Sequence, residues 1–364
     1  EPRYLALILK PDGSIAAVQL GVAQPIDAAI QKALAATAAN ASDAMQRWGQ
    51  VSRLVLDPLK GQLAGSRQWF LSPDGELNRV PFAALPSPLQ MDQPLADTVQ
   101  LRLLTTGREL VRLQQPARAG QKPVVMANPS YDRPQAQSRP VLTASSAAAA
   151  AEGLADRPQQ RSSALGDSRW MPLPATEQEG RQVAALLGTT AITGPQATTT
   201  ALQQRQGPRV LHVATHGFFA ADQDRPPSDL LRPLQDDNRL LQGFRGEDPQ
   251  LRSGLVLAGA NQPEADPSDD GYLTAAEAVA LPLDGTELVV LSACSTAQGE
   301  VRTGEGVYGL QRSLTVAGAR STLLSLWKVD DAATAEFMSR FYRRLKAGDS
   351  RSEALRATQK EFRD

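Results

Sequence analysis

Two stretches decide the fold: Arg209-Val210-Leu211-His212-Val213-Ala214-Thr215-His216-Gly217 and Glu287-Leu288-Val289-Val290-Leu291-Ser292-Ala293-Cys294-Ser295. Each carries a short apolar run rich in β-branched residues, the pattern of a buried strand. Each run leads directly to a chemically capable side chain. In open α/β sheets functional groups gather at the carboxyl ends of the strands. His216 and Cys294, the only cysteine, stand just past these two runs. Thiol chemistry needs a thiolate and a base to form or hold it, which His supplies near neutral pH. Gly217, directly after the His, has no Cβ to keep its backbone N–H away from a substrate carbonyl. Each residue also has a plainer reading. A lone Cys is commonly a small buried hydrophobe. His212 and His216 have the spacing of a zinc-binding helix, but Val213 stands where that motif needs Glu, and the neighbours favour a strand. His212 therefore reads as a core residue, or as one supporting the site from behind.

Working outward, the second half alternates strands and helices. Val124–Ala127 reads as a strand. Thr176-Glu177-Gln178-Glu179 reads as a capping box opening a helix that closes at Gly188. A short strand at 255–257 and a capped helix after Thr274 precede the Cys294 strand. A helix at 304–317, a strand at 320–326 and helices at 331–347 and 350–362 complete the pattern. Such alternation implies a mainly parallel sheet covered by helices. The first half reads as a smaller α+β region. It has a hairpin around Pro11-Asp12-Gly13, a helix over 25–48, a second hairpin around Pro73-Asp74-Gly75 and a strand at 98–104. The expected domains are 1–120 and 121–364, with residues 129–172 as a Pro-, Ser- and Ala-rich insertion loop and 220–253 and 261–272 as further polar loops.

Composition narrows the function. The chain has 364 residues, with 38 Lys and Arg against 39 Asp and Glu, giving a net charge of -1. That balance argues against direct nucleic-acid or anionic-membrane binding. No run approaches the ~18 apolar residues of a membrane span. One Cys and two His leave too few ligands for a His/Cys zinc site, and rule out an intrachain disulfide. A reducing, cytoplasmic setting and no cofactor are expected. Because position 1 is Glu, the natural start is expected to be trimmed, and no signal peptide is visible. Gly304-Glu305-Gly306-Val307-Tyr308-Gly309 matches the dinucleotide fingerprint in letters. Yet Gly304 lies a dozen residues past Leu291, whereas that fingerprint needs its first Gly at the strand end. These glycines read as loop and packing residues.

Several ordered blocks together resemble a known family. They are Ser72-Pro73-Asp74-Gly75 with Pro81-Phe82-Ala83-Ala84-Leu85, then His212 to Phe219, Arg252 to Gly259, Leu288 to Thr296, Gly304-Glu305-Gly306-Val307, and Ser325-Leu326-Trp327-Lys328-Val329-Asp330-Asp331. The chain is similar to the CHAT domain, the bacterial caspase-like and separase-like cysteine peptidases often attached to tetratricopeptide repeats. The resemblance implies a caspase-like α/β domain preceded by a pseudo-caspase-like region. It implies a His–Cys dyad, carried here by His216 and Cys294, that cleaves a protein or peptide substrate. The Gly217 and Cys294 N–H groups are the expected oxyanion donors. An activating protein or attached repeat domain is an expected regulator. Relatives also continue past the last helix, so the end at Asp364 is expected to be incomplete. Asp330 and Asp331 follow a strand expected beside the Cys294 strand, so they are candidates for an acidic substrate pocket selecting Arg or Lys before the cut. Asp330 is equally suited to cap the helix at 331–347. The alternative function is a catalytically silent scaffold that binds a partner through its loops.

Overall fold

The computed structural model describes residues 1–90, 92–116, 118, 120–133, 162, 165, 168–219, 248–295, 305–325 and 330–364. The chain divides into two compact units, Glu1–Ala117 with Leu326–Lys328 and Glu336–Asp364, and Arg118–Ser325 with Val329–Ala335. Residues 336–364 group with the N-terminal unit. Most of the expected insertion loop, and residues 220–247, lie outside the described residues.

In the first unit β1 (Arg3–Leu9) and β2 (Ile15–Val22) form an antiparallel hairpin. Its period-2 pattern leaves Leu5, Leu7, Leu9 and Ile15 exposed, while Tyr4 and Leu20 turn toward the core. The Tyr4 hydroxyl donates to Asp27 at 2.7 Å and accepts the Glu76 N–H at 3.2 Å. Burial first, then the Asp27 carboxylate, pushes its phenol well above the usual range. Two helices follow, α1 (Ala23–Ala38) and α2 (Ala44–Val55). A single helix over 25–48 was expected. The chain instead breaks at Asn40, which adopts φ 50°, a conformation Asn tolerates and a helix does not.

The second expected hairpin is also corrected. β3 (Gln68–Leu71) pairs in parallel with β4 (Gln100–Leu103), about thirty residues later. Between them Asp74 caps a 3-10 turn at Gly75–Arg79, and Leu77, Val80 and Phe82 enter the core beside Ile30, Trp48 and Trp69. Pro81 lacks the N–H that a returning strand would have to donate. Gly75 sits at φ 55°, where a Cβ would meet the Tyr4 hydroxyl at 2.9 Å. The short helices α3 (Lys60–Leu63), α4 (Leu95–Thr98) and α5 (Arg108–Gln114) complete this stretch.

Among the described residues, the second unit contains a seven-stranded sheet. Its main path runs β11 (Thr322–Leu324), β10 (Leu288–Ser295), β7 (Val210–Phe219), β5 (Val124–Pro129), β6 (Ala191–Gly194), all parallel. β8 (Ser253–Val256) pairs antiparallel with the far end of β7, and β9 (Tyr272–Thr274) with β8. The chain leaves β5 for β6 on one side and returns past β5 to place β7 on the other. The topological switch point therefore lies between β5 and β7, where open α/β sheets leave a crevice at the carboxyl edge.

Helix α6 (Pro174–Leu187) packs on β5 and β7. Gly180 permits this: a Cβ there would lie 2.4 Å from the Ala127 Cβ. α6 ends at Gly188 as expected, in the left-handed conformation at φ 69°. Its N-cap is Leu173 rather than Thr176, however, and the Thr176 hydroxyl donates back to the Leu173 carbonyl. α7 (Thr199–Gln203) and α8 (Ala275–Ala278) are short, and α8 carries the expected Thr274–Glu277 capping box. α9 (Glu305–Val316) follows β10. α10 (Asp331–Ala347) leads to α11 (Arg351–Arg363), opened by the expected Ser350–Glu353 box. The apolar faces of β7 and β10 bury Leu211, Val213, Val289 and Leu291 in one core with Leu310 and Leu314 of α9.

Candidate active site

β7 and β10 both run longer than their apolar cores suggest. They extend through His216 and Cys294, so these residues lie within paired strands rather than beyond them. The ladder is in register throughout: Val290 faces His212, Ser292 faces Ala214 and Cys294 faces His216. The backbone thus brings the only histidine–cysteine combination the sequence singled out to directly opposed positions on neighbouring strands. Gly217, one step on, is flanked by Ser295 of β10 and Leu255 of β8.

His216 is 3% exposed and is gripped from two sides. Its ring lies 5.1 Å from the Tyr131 ring and 5.3 Å from the Trp170 ring, tilted by 39° to each. Tyr131 lies two residues past the end of β5, across the switch point. The His216 Nε2 atom lies 2.7 Å from the Met171 carbonyl oxygen. A carbonyl only accepts, so Nε2 carries the proton and Nδ1 is the basic nitrogen of the neutral ring. Beside it, the Thr215 hydroxyl donates to the Val256 carbonyl. Its one hydrogen is thereby used, so the Tyr131 hydroxyl is the donor in the 3.0 Å contact with Thr215.

Below His216 on the same strand, His212 is fully buried. Its Nε2 faces Glu179 Oε1 of α6 at 3.1 Å, although the ring N–H is not aimed straight at that oxygen. Ser292 of β10 donates to the other Glu179 oxygen at 3.0 Å. A buried polar trio therefore joins α6, β7 and β10. The sequence reading placed Glu179 at a helix cap and missed this role. The only local signal was its position inside a helix whose face had to meet the sheet. His212 is the buried strand residue that its neighbours suggested.

The loop entering α6 is held by Asn261, which the sequence reading also passed over. The Trp170 N–H donates to Asn261 Oδ1 at 2.7 Å, and Asn261 Nδ2 donates to the Trp170 carbonyl at 3.0 Å. The Trp170 indole N–H donates to the Tyr272 hydroxyl at 2.9 Å. Tyr131, Trp170, Phe218 and Tyr272 belong to one buried cluster.

β11 lies beside β10 as expected. Asp330 is exposed and caps α10, accepting the Ala333 N–H at 2.8 Å. The Trp327-Lys328-Val329 stretch lies outside the described residues, as does the Gly304 start of the glycine motif. α9 starts at Glu305, ten residues beyond the last residue of β10, whereas a dinucleotide fingerprint needs its first Gly at the strand end. Among the described residues, no three His, Cys, Asp or Glu side chains gather as a metal site, and no helix is long and apolar enough to cross a membrane.

A family model for the CHAT domain matches residues 47–364. With this sheet, and with His216 and Cys294 at opposed strand positions, the chain belongs to the CHAT domain family, which lies in a caspase-like peptidase clan. Tetratricopeptide repeat protein 28 of Homo sapiens is 28% identical over 319 residues, covering 83% of this chain and 12% of that protein. Its Mus musculus counterpart is 27% identical over 332 residues, covering 84% and 12%. The chain thus spans about one-eighth of these relatives. Both are mammalian, so they do not support the expected bacterial origin.

Proposed function

We propose that this chain is a cysteine endopeptidase working through a His216–Cys294 dyad. The observation that supports the reading most is the strand register, which sets Cys294 opposite His216. Paired positions on neighbouring strands present to one face of a sheet. The Met171 carbonyl supports it further, because it leaves Nδ1 as the nitrogen able to take a thiol proton. In this mechanism the Cys294 thiol gives its proton to His216 Nδ1, and the sulfur attacks the scissile carbonyl. The Gly217 and Cys294 N–H groups stabilise the oxyanion. The imidazolium then protonates the departing amine, leaving a thioester that water hydrolyses with His216 as base.

The substrate is a protein or peptide. An attached tetratricopeptide repeat region, or a partner of that kind, acts as the regulator in this reading, which the repeats in the relatives' printed name support. The same name records repeats rather than an activity, which keeps a silent partner-binding scaffold as the second reading.

A degenerate peptide library read by mass spectrometry, with parallel labelling by a thiol-reactive peptide electrophile, separates the two. Cleavage and labelling are expected in the wild type. Cys294→Ala and His216→Ala should each remove nearly all cleavage, because groups acting as a unit fail together. Near-full cleavage by Cys294→Ala would end the dyad reading, and absence of both cleavage and labelling would favour the scaffold. Full turnover by the purified chain alone would remove the need for a regulator.

A further inference from the structure

Asn261 lies on the loop between β8 and β9, and its bonds converge on what holds His216. Its side-chain oxygen accepts the Trp170 N–H at 2.7 Å, and its side-chain nitrogen donates to the Trp170 carbonyl at 3.0 Å and to Asp132 Oδ1 at 3.0 Å. Its own backbone N–H donates to the Tyr131 carbonyl at 3.0 Å. The side-chain partners dictate the residue type. One is only a donor and the other two only acceptors, so the amide fits in one orientation with both its ends engaged. Asp would face two acceptors with no hydrogen to give. Gln would carry the amide one methylene too far.

The result is a clamp on the Trp170 peptide, made as a neighbouring strand would make it. Two contacts with His216 depend on that peptide: the Trp170 ring at 5.3 Å and the next carbonyl, Met171 O, at 2.7 Å from Nε2. The same loop backbone is tied to Tyr131, whose ring lies on the other contact of the imidazole. A short peptide segment with no regular structure of its own is thus fixed by one side chain on a different loop.

We propose that Asn261 is a positioning residue that clamps the Trp170 peptide so that the Met171 carbonyl holds His216 in the tautomer protonated at Nε2. The inference deepens the peptidase reading, and its catalytic consequence rests on that reading. The tautomer itself does not.

The test uses the full chain labelled with ¹⁵N-histidine. Long-range proton–nitrogen correlation spectra, taken where the rings are neutral, report which nitrogen of each ring carries the proton. With two histidines, a His212→Gln sample assigns the signals. The wild type should have His216 protonated at Nε2. Asn261→Asp and Asn261→Ala should yield a mixture of tautomers while circular dichroism stays native. On a cleaved peptide kcat should fall by about 10²-fold, the order of loss seen when a reacting group is misplaced, with KM much less affected. Two results would overturn the proposal. One is wild-type His216 protonated at Nδ1, which needs no variant to fold. The other is His216 unchanged in tautomer in both Asn261 variants. If no peptide is cleaved and Cys294 resists the electrophile, the peptidase reading fails by itself, and the spectra still decide the role of Asn261.

Discussion

The trio of Glu179, His212 and Ser292 is where single residues carry the most weight beneath the site. Glu179 is 1% exposed and His212 0%. Burying such groups is costly, and removing one takes away part of what compensates the other. Glu179→Ala and His212→Ala should therefore each cost about 1–3 kcal/mol of stability. The double variant should cost clearly less than the sum, because contacting residues couple. Urea unfolding of the four proteins checks this. Additive losses would mean that the 3.1 Å approach contributes nothing as a pair. Cleavage by His212→Ala, assayed where it is folded, should survive, since His212 supports the strand and not the reacting atoms. On the peptidase reading, His216, four residues along, is expected to show the opposite profile. Both histidines alternate onto one face of β7, so the residue letters alone hardly separate them. What distinguishes them is what packs against each: a helix carboxylate below, two aromatic rings and a carbonyl above.

At the scale of elements, α10 raises the question of what Asp330 does. Its carboxylate caps the helix through Ala333, the common use of Asp there. The same position, past a strand beside β10, is where an acidic substrate pocket was expected. Substitutions separate the two roles. Asp330→Ala removes the cap and should lower stability by about 1 kcal/mol, whatever the substrate. Asp330→Asn keeps a capping oxygen and loses the charge. If Asp330 also selects basic residues, Asp330→Asn should keep the wild-type thermal midpoint but cut turnover of an Arg-ending fluorogenic peptide relative to a Leu-ending one. An unchanged Arg-to-Leu ratio in Asp330→Asn and in Asp331→Asn would remove the pocket. The helix itself was legible in detail, because its apolar spacing and cap are local signals. The 69–82 segment was not. Its turn letters, Pro73-Asp74-Gly75, suit a hairpin equally well, and only the pairing of β3 with the distant β4 decided otherwise.

For the whole molecule, α11 and most of α10 cluster apart from the unit they follow. Residues 336–364 group with the N-terminal unit. The Gln100 side chain donates to Ser352 at 3.1 Å, Arg363 pairs with Asp97 at 2.7 Å, and Ala354 and Thr358 of α11 are fully buried. Deleting residues 351–364 should therefore loosen the first unit. Hydrogen exchange is expected to rise in β4 and α4 and to change little in β7 and β10. Faster exchange confined to β7 and β10 would contradict the grouping. Such local loss is the usual response when one cooperative segment is removed.

By itself the sequence determined the kind of sheet, its parallel alternation with helices and the helices near the C-terminal end, and it singled out His216 and Cys294, while the short elements at 191–194, 199–203 and 272–274 were not read from it. Its readings rest on short-range information: hydrophobic periodicity, caps, and chemically rare residues at the ends of apolar runs. The tertiary structure decided the strand register that opposes Cys294 to His216, and the return of the chain that places β6 and β7 on opposite sides of β5. It also decided the assignment of 336–364 to the first unit, and the partners of Glu179 and Asn261. Each of these depends on residues brought together from distant parts of the chain. A buried Glu or a loop Asn carries no local mark of its partners, because the low-dielectric interior sets its role only after the partners have met.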